Sequence, residues 1–317
     1  MSDPIVASSF NLPASDGTDV FVYRWLPASG TPVRAVVQIV HGAAEHAGRY
    51  DRLARVLAGD GYAVYADDHR GHGRTAGAAE RAGLVGPDAW NRMLEDEREL
   101  TLLAGRNHPG LPIVLLGHSM GSMLGQGYAQ RFGTLLAGLI LSGTASALAP
   151  GSEDLGERVQ AAMAKDGPDA PSMDFAMLFL GFNDPFAAGV PEAAVTGFEW
   201  LSRDTAEVAL YVADPFCGFP FSNRLVVDMA DGLGLTWALG AEKQIPTDLP
   251  VLLIAGADDP VGADDSVHKL GELYRAAGLS VTEILYPQAR HEIFNETNRA
   301  EVDADVLGWL DAHIGSR

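Results

Sequence analysis

The stretch Leu111-Pro112-Ile113-Val114-Leu115-Leu116-Gly117-His118-Ser119-Met120-Gly121 decides the reading of this chain. Its first half is a nearly unbroken apolar run, the composition of a strand buried on both faces. It passes directly into G-x-S-x-G and then into helix-compatible sequence. That succession predicts a nucleophile elbow, a strand-to-helix turn too tight for side chains at its flanking positions. Gly117 and Gly121 meet that demand. The turn lifts the Ser119 hydroxyl clear of the sheet. It also leaves the Met120 N–H free at a helix N-terminus, where an oxyanion can be bound.

Outward from the elbow, strands and helices alternate. Val20 to Leu26 reads as a strand ending at Pro27, and Ala35 to Val40 as a buried one. Tyr50 to Leu57 has helical spacing and stops near Gly59 and Gly61. Tyr62 to Ala66 is the next strand, Trp90 to Arg106 a charged amphipathic helix, and Leu139 to Gly143 another buried strand. The rhythm breaks after Thr144 and resumes at Leu249 to Gly256. Between them lie frequent prolines and glycines and short apolar helical patches, such as Met173 to Phe182 and Phe198 to Tyr211. A helix from about Ala263 to Ala277, a strand from Val281 to Tyr286 and a helix from about Thr297 to Ile314 complete the chain. The alternation predicts a doubly wound α/β fold with a mostly parallel sheet. The break predicts a core of residues 1–144 and 248–317 with a helical cap inserted over 145–247.

A serine nucleophile needs a base, and the base needs an orienting acid. On this fold the chain order is serine, acid, histidine. Asp258 and Asp259 follow a strand downstream of the elbow, and Asp259, at the start of the loop, is the expected acid. The bland alternative is a helix N-cap, a role that Asp264 or Asp265 could take instead. Of nine histidines, His291 alone sits in the loop after the last strand, so it is the expected base. His41-Gly42-Ala43 follows the strand ending at Val40, and the small Ala43 suits a second oxyanion donor. A metal site drawn from His41, Glu45, His46, His69 and His72 is not expected, because the ligands come from unrelated loops without a recognised spacing. Asp68-His69-Arg70-Gly71-His72-Gly73 is expected to brace neighbouring loops. It is no phosphate loop.

Composition narrows the function classes. The 317 residues carry a formal net charge of −20, which disfavours nucleic acid and tight docking on anionic membranes. Cys217 is the one cysteine, so no intramolecular disulfide forms. The N-terminus lacks a secretory pattern and no apolar stretch reaches membrane-spanning length, so the expectation is a cytoplasmic protein.

Five motifs taken together carry a resemblance: His41-Gly42-Ala43-Ala44-Glu45-His46 with Arg49-Tyr50, Asp68 to Gly73, Gly117 to Gly121, Gly256-Ala257-Asp258-Asp259, and Ala289-Arg290-His291-Glu292. The chain resembles the monoacylglycerol lipase and lysophospholipase branch of the α/β-hydrolases, also grouped with serine aminopeptidase-like hydrolases. Trp200-Leu201-Ser202-Arg203-Asp204 and Tyr211 to Pro215 extend the likeness into the cap. The resemblance implies an α/β-hydrolase fold with the cap inserted after the sixth strand. It implies Ser119, Asp259 and His291 as triad, with the N–H groups of Ala43 and Met120 as oxyanion hole. The expected substrate is a small acyl ester or lipid, monoacylglycerol- or lysophospholipid-like, hydrolysed without cofactor or metal. A short-chain carboxylesterase, a serine peptidase or amidase, and a non-catalytic ligand-binding relative are the alternatives. In the cap, Met173 to Phe182 is too apolar for a solvated helix face. Internal packing is the first reading. The second makes Phe175 and Phe179 part of an acyl pocket, with at most weak peripheral membrane contact.

Overall fold

The computed structural model describes residues 5–147, 154–261 and 266–314. Eight strands form one sheet: β1 (Val6–Pro13), β2 (Asp19–Leu26), β3 (Ala35–Val40), β4 (Tyr62–Asp67), β5 (Ile113–His118), β6 (Gly138–Ser142), β7 (Val251–Gly256) and β8 (Val281–Tyr286). Their spatial order is β1-β2-β4-β3-β5-β6-β7-β8. The first two pairings, β1 with β2 and β2 with β4, are antiparallel, and every later one is parallel. The chain therefore has the doubly wound, mostly parallel sheet of an α/β-hydrolase. Strands β3, β4, β5, β6 and β7 are buried along their whole length. That burial explains why they read as continuous apolar runs rather than as alternations.

Among the described residues, ten helices flank or interrupt the sheet. They are α1 (Asp51–Gly59), α2 (Ala89–Asn107), α3 (Met120–Phe132), α4 (Leu155–Asp166), α5 (Met173–Gly181), α6 (Asp184–Ala187), α7 (Thr205–Ala213), α8 (Asn223–Thr236), α9 (Ser266–Ala276) and α10 (Arg299–Ile314). One face of the sheet packs Leu115, Leu139, Leu141 and Leu253 with Trp90, Leu124, Leu225 and Leu270 of the covering helices. The other packs Val37, Ile39, Leu116 and Ile254 with Leu53, Leu57, Val306 and Leu310 of α1 and α10.

Several boundaries differ from expectation for identifiable reasons. Two strands begin later than their apolar runs, at Ile113 and Val251, because a proline precedes each. Pro112 and Pro250 donate nothing to the ladder, but their carbonyls still accept from Val36 N and Leu139 N. Strand β1 is absent from the sequence reading. It is an edge strand with no fully buried residue, so it carries no core run. The strand at Leu139 is thereby the sixth. The patch Phe198 to Tyr211 is not one helix: a 3₁₀ turn (Glu199–Leu201) is separated from α7 by Ser202-Arg203-Asp204. Asp204 caps α7 by accepting from Ala206 N. The possible caps Asp264 and Asp265 lie outside the described residues.

Helices α4 to α8 all lie between β6 and β7. Of these, α8 packs directly on α2 and α3, and α4 packs on α8. Gly232 makes that approach possible, since a Cβ there would run into the Trp90 ring.

Candidate active site

Ser119 stands between β5 and α3 with φ 53° and ψ −123°. A non-glycine residue there stores backbone strain, held by its surroundings. Its N–H donates to the Ser142 carbonyl at 2.9 Å, and its own carbonyl accepts from Ser122 Oγ at 2.6 Å. A Cβ on Gly121 would collide with the carbonyl oxygens of Val40 and His41, so only glycine lets α3 start this close to β3. Met120 opens α3, and its N–H is one of the four that have no partner within the helix.

Asp259 and His291 meet above the carboxyl ends of β7 and β8. His291 Nδ1 lies 2.9 Å from both carboxylate oxygens of Asp259. Val261 N donates to Asp259 Oδ1 at 2.9 Å, holding the carboxylate in place. Burial pushes the Asp259 carboxyl up, but His291 beside it outweighs burial and holds it below the ordinary carboxylate value. Asp258 is exposed, with its N–H on the Ala289 carbonyl. Gly143, at φ 56°, passes under the pair: a Cβ there would sit 3.0 Å from His291 Cε1.

Two neighbours of His291 were not expected from the sequence. His118, the second residue of the elbow motif, lies with its ring centroid 4.7 Å from that of His291. Burial and the adjacent His291 hold its pKa down to about 4, so it stays neutral. Trp200 lies 5.0 Å away on the other side. Its carbonyl accepts from His291 N at 3.3 Å, and the Leu201 carbonyl accepts from Glu292 N at 2.7 Å. The elbow motif named His118, but nothing in its spacing announced the contact.

The loop after β3 is fixed at both ends. Gly42 N and the Tyr50 hydroxyl donate to Glu45 Oε1 at 2.6 and 2.8 Å. Arg49 joins Glu45 to Glu292, with its guanidinium 2.5 and 2.6 Å from the two carboxylates. Burial raises the Glu292 carboxyl, but Arg49 prevails and brings it to about 2. Ala43 lies inside this frame. Ala44, at φ 51°, sends its carbonyl to Gly218 N and to the Tyr211 hydroxyl, both at 2.9 Å.

The Asp68 to Gly73 segment braces this loop, as expected. His69 N donates to His41 Nε2 at 3.0 Å, and His69 Nε2 returns to the His41 carbonyl at 3.1 Å. Asp68 accepts from Ala47 N and Arg74 N. His41 Nδ1 donates to the Gly42 carbonyl at 2.8 Å, and Glu45 is occupied by Gly42, Tyr50 and Arg49.

Ser119 separates two cavities of different character. An apolar one spans about 650 Å³ including its open mouth, and Met123, Phe175, Leu178, Phe179, Met229 and Trp237 are among its lining residues. A smaller one, about 250 Å³ with its open mouth included, joins Ser119 and His291 to Glu45, Tyr211 and Glu292. Ala43, Ser119 and Phe179 line both.

A strained serine over a buried carboxylate–histidine pair, on this sheet, is the arrangement of the α/β-hydrolases. The chain belongs to the serine aminopeptidase S33 family, whose model matches residues 31–298. It is 31% identical to a monoacylglycerol lipase of Mycolicibacterium smegmatis, over 92% of each chain. To the human monoglyceride lipase it is 30% identical, over 90% of this chain and 87% of that one. Among solved structures, a thermostable carboxyl esterase of Bacillus coagulans superposes with a TM-score of 0.88 at 29% identity, over 98% of this chain and 99% of that one. The chain is an ester hydrolase. Among the described residues no helix is long and apolar enough to cross a membrane.

Proposed function

We propose that the chain hydrolyses monoacylglycerols or closely similar single-chain acyl esters through an acyl-enzyme on Ser119. The observation that carries this is the position of Ser119 between an apolar cavity and a small polar one. The acyl chain takes the first, against Phe175 and Phe179. The alcohol takes the second, beside Glu45, Tyr211 and Glu292. The relatives' names support the same substrate class, as does the glycerol bound to the similar Bacillus esterase.

His291 removes the Ser119 proton as Oγ attacks the ester carbonyl. Asp259 fixes the tautomer of His291 through Nδ1 and stabilises the imidazolium. The N–H groups of Ala43 and Met120 hold the tetrahedral oxyanion. His291 then protonates the departing alcohol and activates the water that releases the acid. Residues 145–247 act as the cap and 1–144 with 248–317 as the core, with substrate choice residing in the cap. Membrane contact is weak and peripheral, through apolar cap residues.

Initial rates on p-nitrophenyl esters of rising chain length and on 1-monoacylglycerols test this reading, alongside fluorophosphonate labelling of wild type and Ser119→Ala. Labelling lost with the serine and rates that peak at medium-to-long chains support it. A peak at acetate makes the chain a short-chain carboxylesterase. Faster cleavage of aminoacyl amides makes it a peptidase or amidase, and absence of labelling leaves a ligand-binding protein.

A further inference from the structure

Among the described residues, two groups of potential metal ligands converge outside the Ser119 site. The first, Asp67, His69 and Glu97, is buried within the core, with side chains at most 3% exposed. His69 there uses Nε2 on the His41 carbonyl, so the group serves the bracing already described. The second joins separate parts of the chain. His46 ends the loop after β3, and Asp214 and Cys217 lie in the turn after α7. One ligand atom from each of His46, Asp214 and Cys217 lies within 4.8 Å of those of the other two.

We infer that His46, Asp214 and Cys217 form a binding site for one zinc-like divalent ion, which ties the loop after β3 to the segment after α7. Five observations support this. The donor set is mixed nitrogen, oxygen and sulfur, which favours zinc or cobalt over magnesium or calcium. The geometry is nearly made. Zinc bond lengths of about 2.0–2.3 Å imply tetrahedral edges of about 3.3–3.8 Å. The His46–Asp214 pair stands at 3.0 Å, and no donor pair needs to close by more than about 1.5 Å.

The ligands are held in place before any ion arrives. Phe216 N donates to Asp214 Oδ1 at 2.8 Å, leaving Oδ2 for the site. Cys217 N donates to the Asp214 carbonyl at 3.0 Å, closing the turn. The local charge suits a cation: the carboxylates of Glu45, Asp214 and Glu292, together with the Arg49 guanidinium that pairs with two of them, act on Cys217. Solvent reaches the site, with the His46 and Asp214 side chains 16% and 33% exposed, so an aquo ion can enter and keep a water in the fourth position.

On binding, one metal–sulfur bond forms and the Sγ–H bond breaks, its proton passing to solvent. Burial raises the thiol pKa, so the ion must displace that proton. The consequence is mechanical. Gly218 N and Tyr211 OH already hold the Ala44 carbonyl, one residue past the expected oxyanion donor. A metal bridge two residues further on fastens the same junction a third time and slows any parting of cap from oxyanion loop.

Cobalt(II) titration of the full chain tests the site without reference to activity. The expected result is one Co²⁺ per chain with a thiolate-to-cobalt charge-transfer band in the near ultraviolet. Cys217→Ser should abolish the band. Both Cys217→Ser and Asp214→Asn should weaken Co²⁺ and Zn²⁺ by at least about 100-fold, since even loss of an outer partner costs about 10–100-fold. Saturating Zn²⁺ should raise the melting temperature of wild type by about 3 °C or more and leave that of Cys217→Ser unchanged. Absence of the band in wild type, or equal affinity in Cys217→Ser, overturns the site. Equal stabilisation of both proteins by Zn²⁺ shows that the ion binds elsewhere and overturns the clamp.

Discussion

The loops at the carboxyl ends of the strands and helix α5 above them are built on opposite rules. In the loops, polar groups are paired. Glu45 takes Gly42, Tyr50 and Arg49, and Asp259 takes His291 and Val261. Helix α5 packs by apolar contact on one side, with an exposed ion pair from Asp174 to Arg158. Phe175 stacks on Phe221 at 5.1 Å and meets Phe179 at 4.9 Å, while Met173, Met177 and Leu180 are each more than half exposed. Directional bonds give the first region one geometry. Dispersion and burial leave the second free to repack around chains of different length. On the proposed function the difference separates chemistry from selectivity, so substitutions in the two regions should fail differently.

The largest effect is expected from Ser119→Ala and His291→Ala, each lowering kcat by about 10⁵–10⁶-fold. The double variant should be about as slow as either single one, because the residues act as a unit. Steady-state rates on p-nitrophenyl butyrate would show it, and additive losses would break the unit. Asp259→Asn should cost on the order of 10⁴ in kcat. Asp258→Asn, an exposed change, should stay within about twofold. The reverse ranking would put the wrong acid beside His291.

Arg49→Met leaves Glu45 and Glu292 buried without their cation and should destabilise the fold by about 3–5 kcal/mol, read from urea midpoints. The pH dependence follows from Glu292. Its folded pKa is depressed from 4.5 to about 2, so its contribution is complete above about pH 4.5 and is lost as pH falls toward 2. Glu292→Gln should flatten stability across that acid window. An unchanged acid limb would mean that the ion pair contributes nothing.

Phe179→Ser should spare acetate and lower kcat/KM for long acyl esters by about tenfold, the worth of roughly two buried methylenes at 0.8 kcal/mol each. Equal losses on both esters would return Phe179 to plain packing. The smallest effect belongs to Met177→Ser on the outer face of α5. Stability should move by less than about 0.5 kcal/mol. Rates on dissolved esters should hold, while a lower rate on aggregated lipid would assign that face to weak membrane contact.

What the sequence disclosed follows the same division. Buried parallel strands declare themselves as apolar runs, and the elbow adds a motif with a single geometric meaning, so the sheet was legible, and the expected placement of Ser119, Asp259 and His291 followed from it. The edge strand β1 was not, because partial exposure leaves no run to read. Helices α4 and α8 were not read either. Their partners are distant in sequence, and the Gly232–Trp90 contact shows how local the deciding detail is. The closeness of His118 to His291 also depends on how two loops meet, which spacing along one chain does not encode.

Glu296 has a wider consequence. This buried carboxylate accepts from Arg290 N and Arg203 N, from Arg203 Nε, and from Thr297 N. It stitches the segment just before the expected base to a segment of the inserted region. Ser202 adds a bond to the Asn295 carbonyl, and Arg299 reaches Asp204. Residues 199–204 and 290–299 therefore form a single joint. A chimera that exchanges the helical insertion with that of a relative should carry this joint over from one parent intact. If the seam is cut between Arg203 and Glu296, the histidine inherits the mismatch, and a domain graft intended to change selectivity would misalign the catalyst instead.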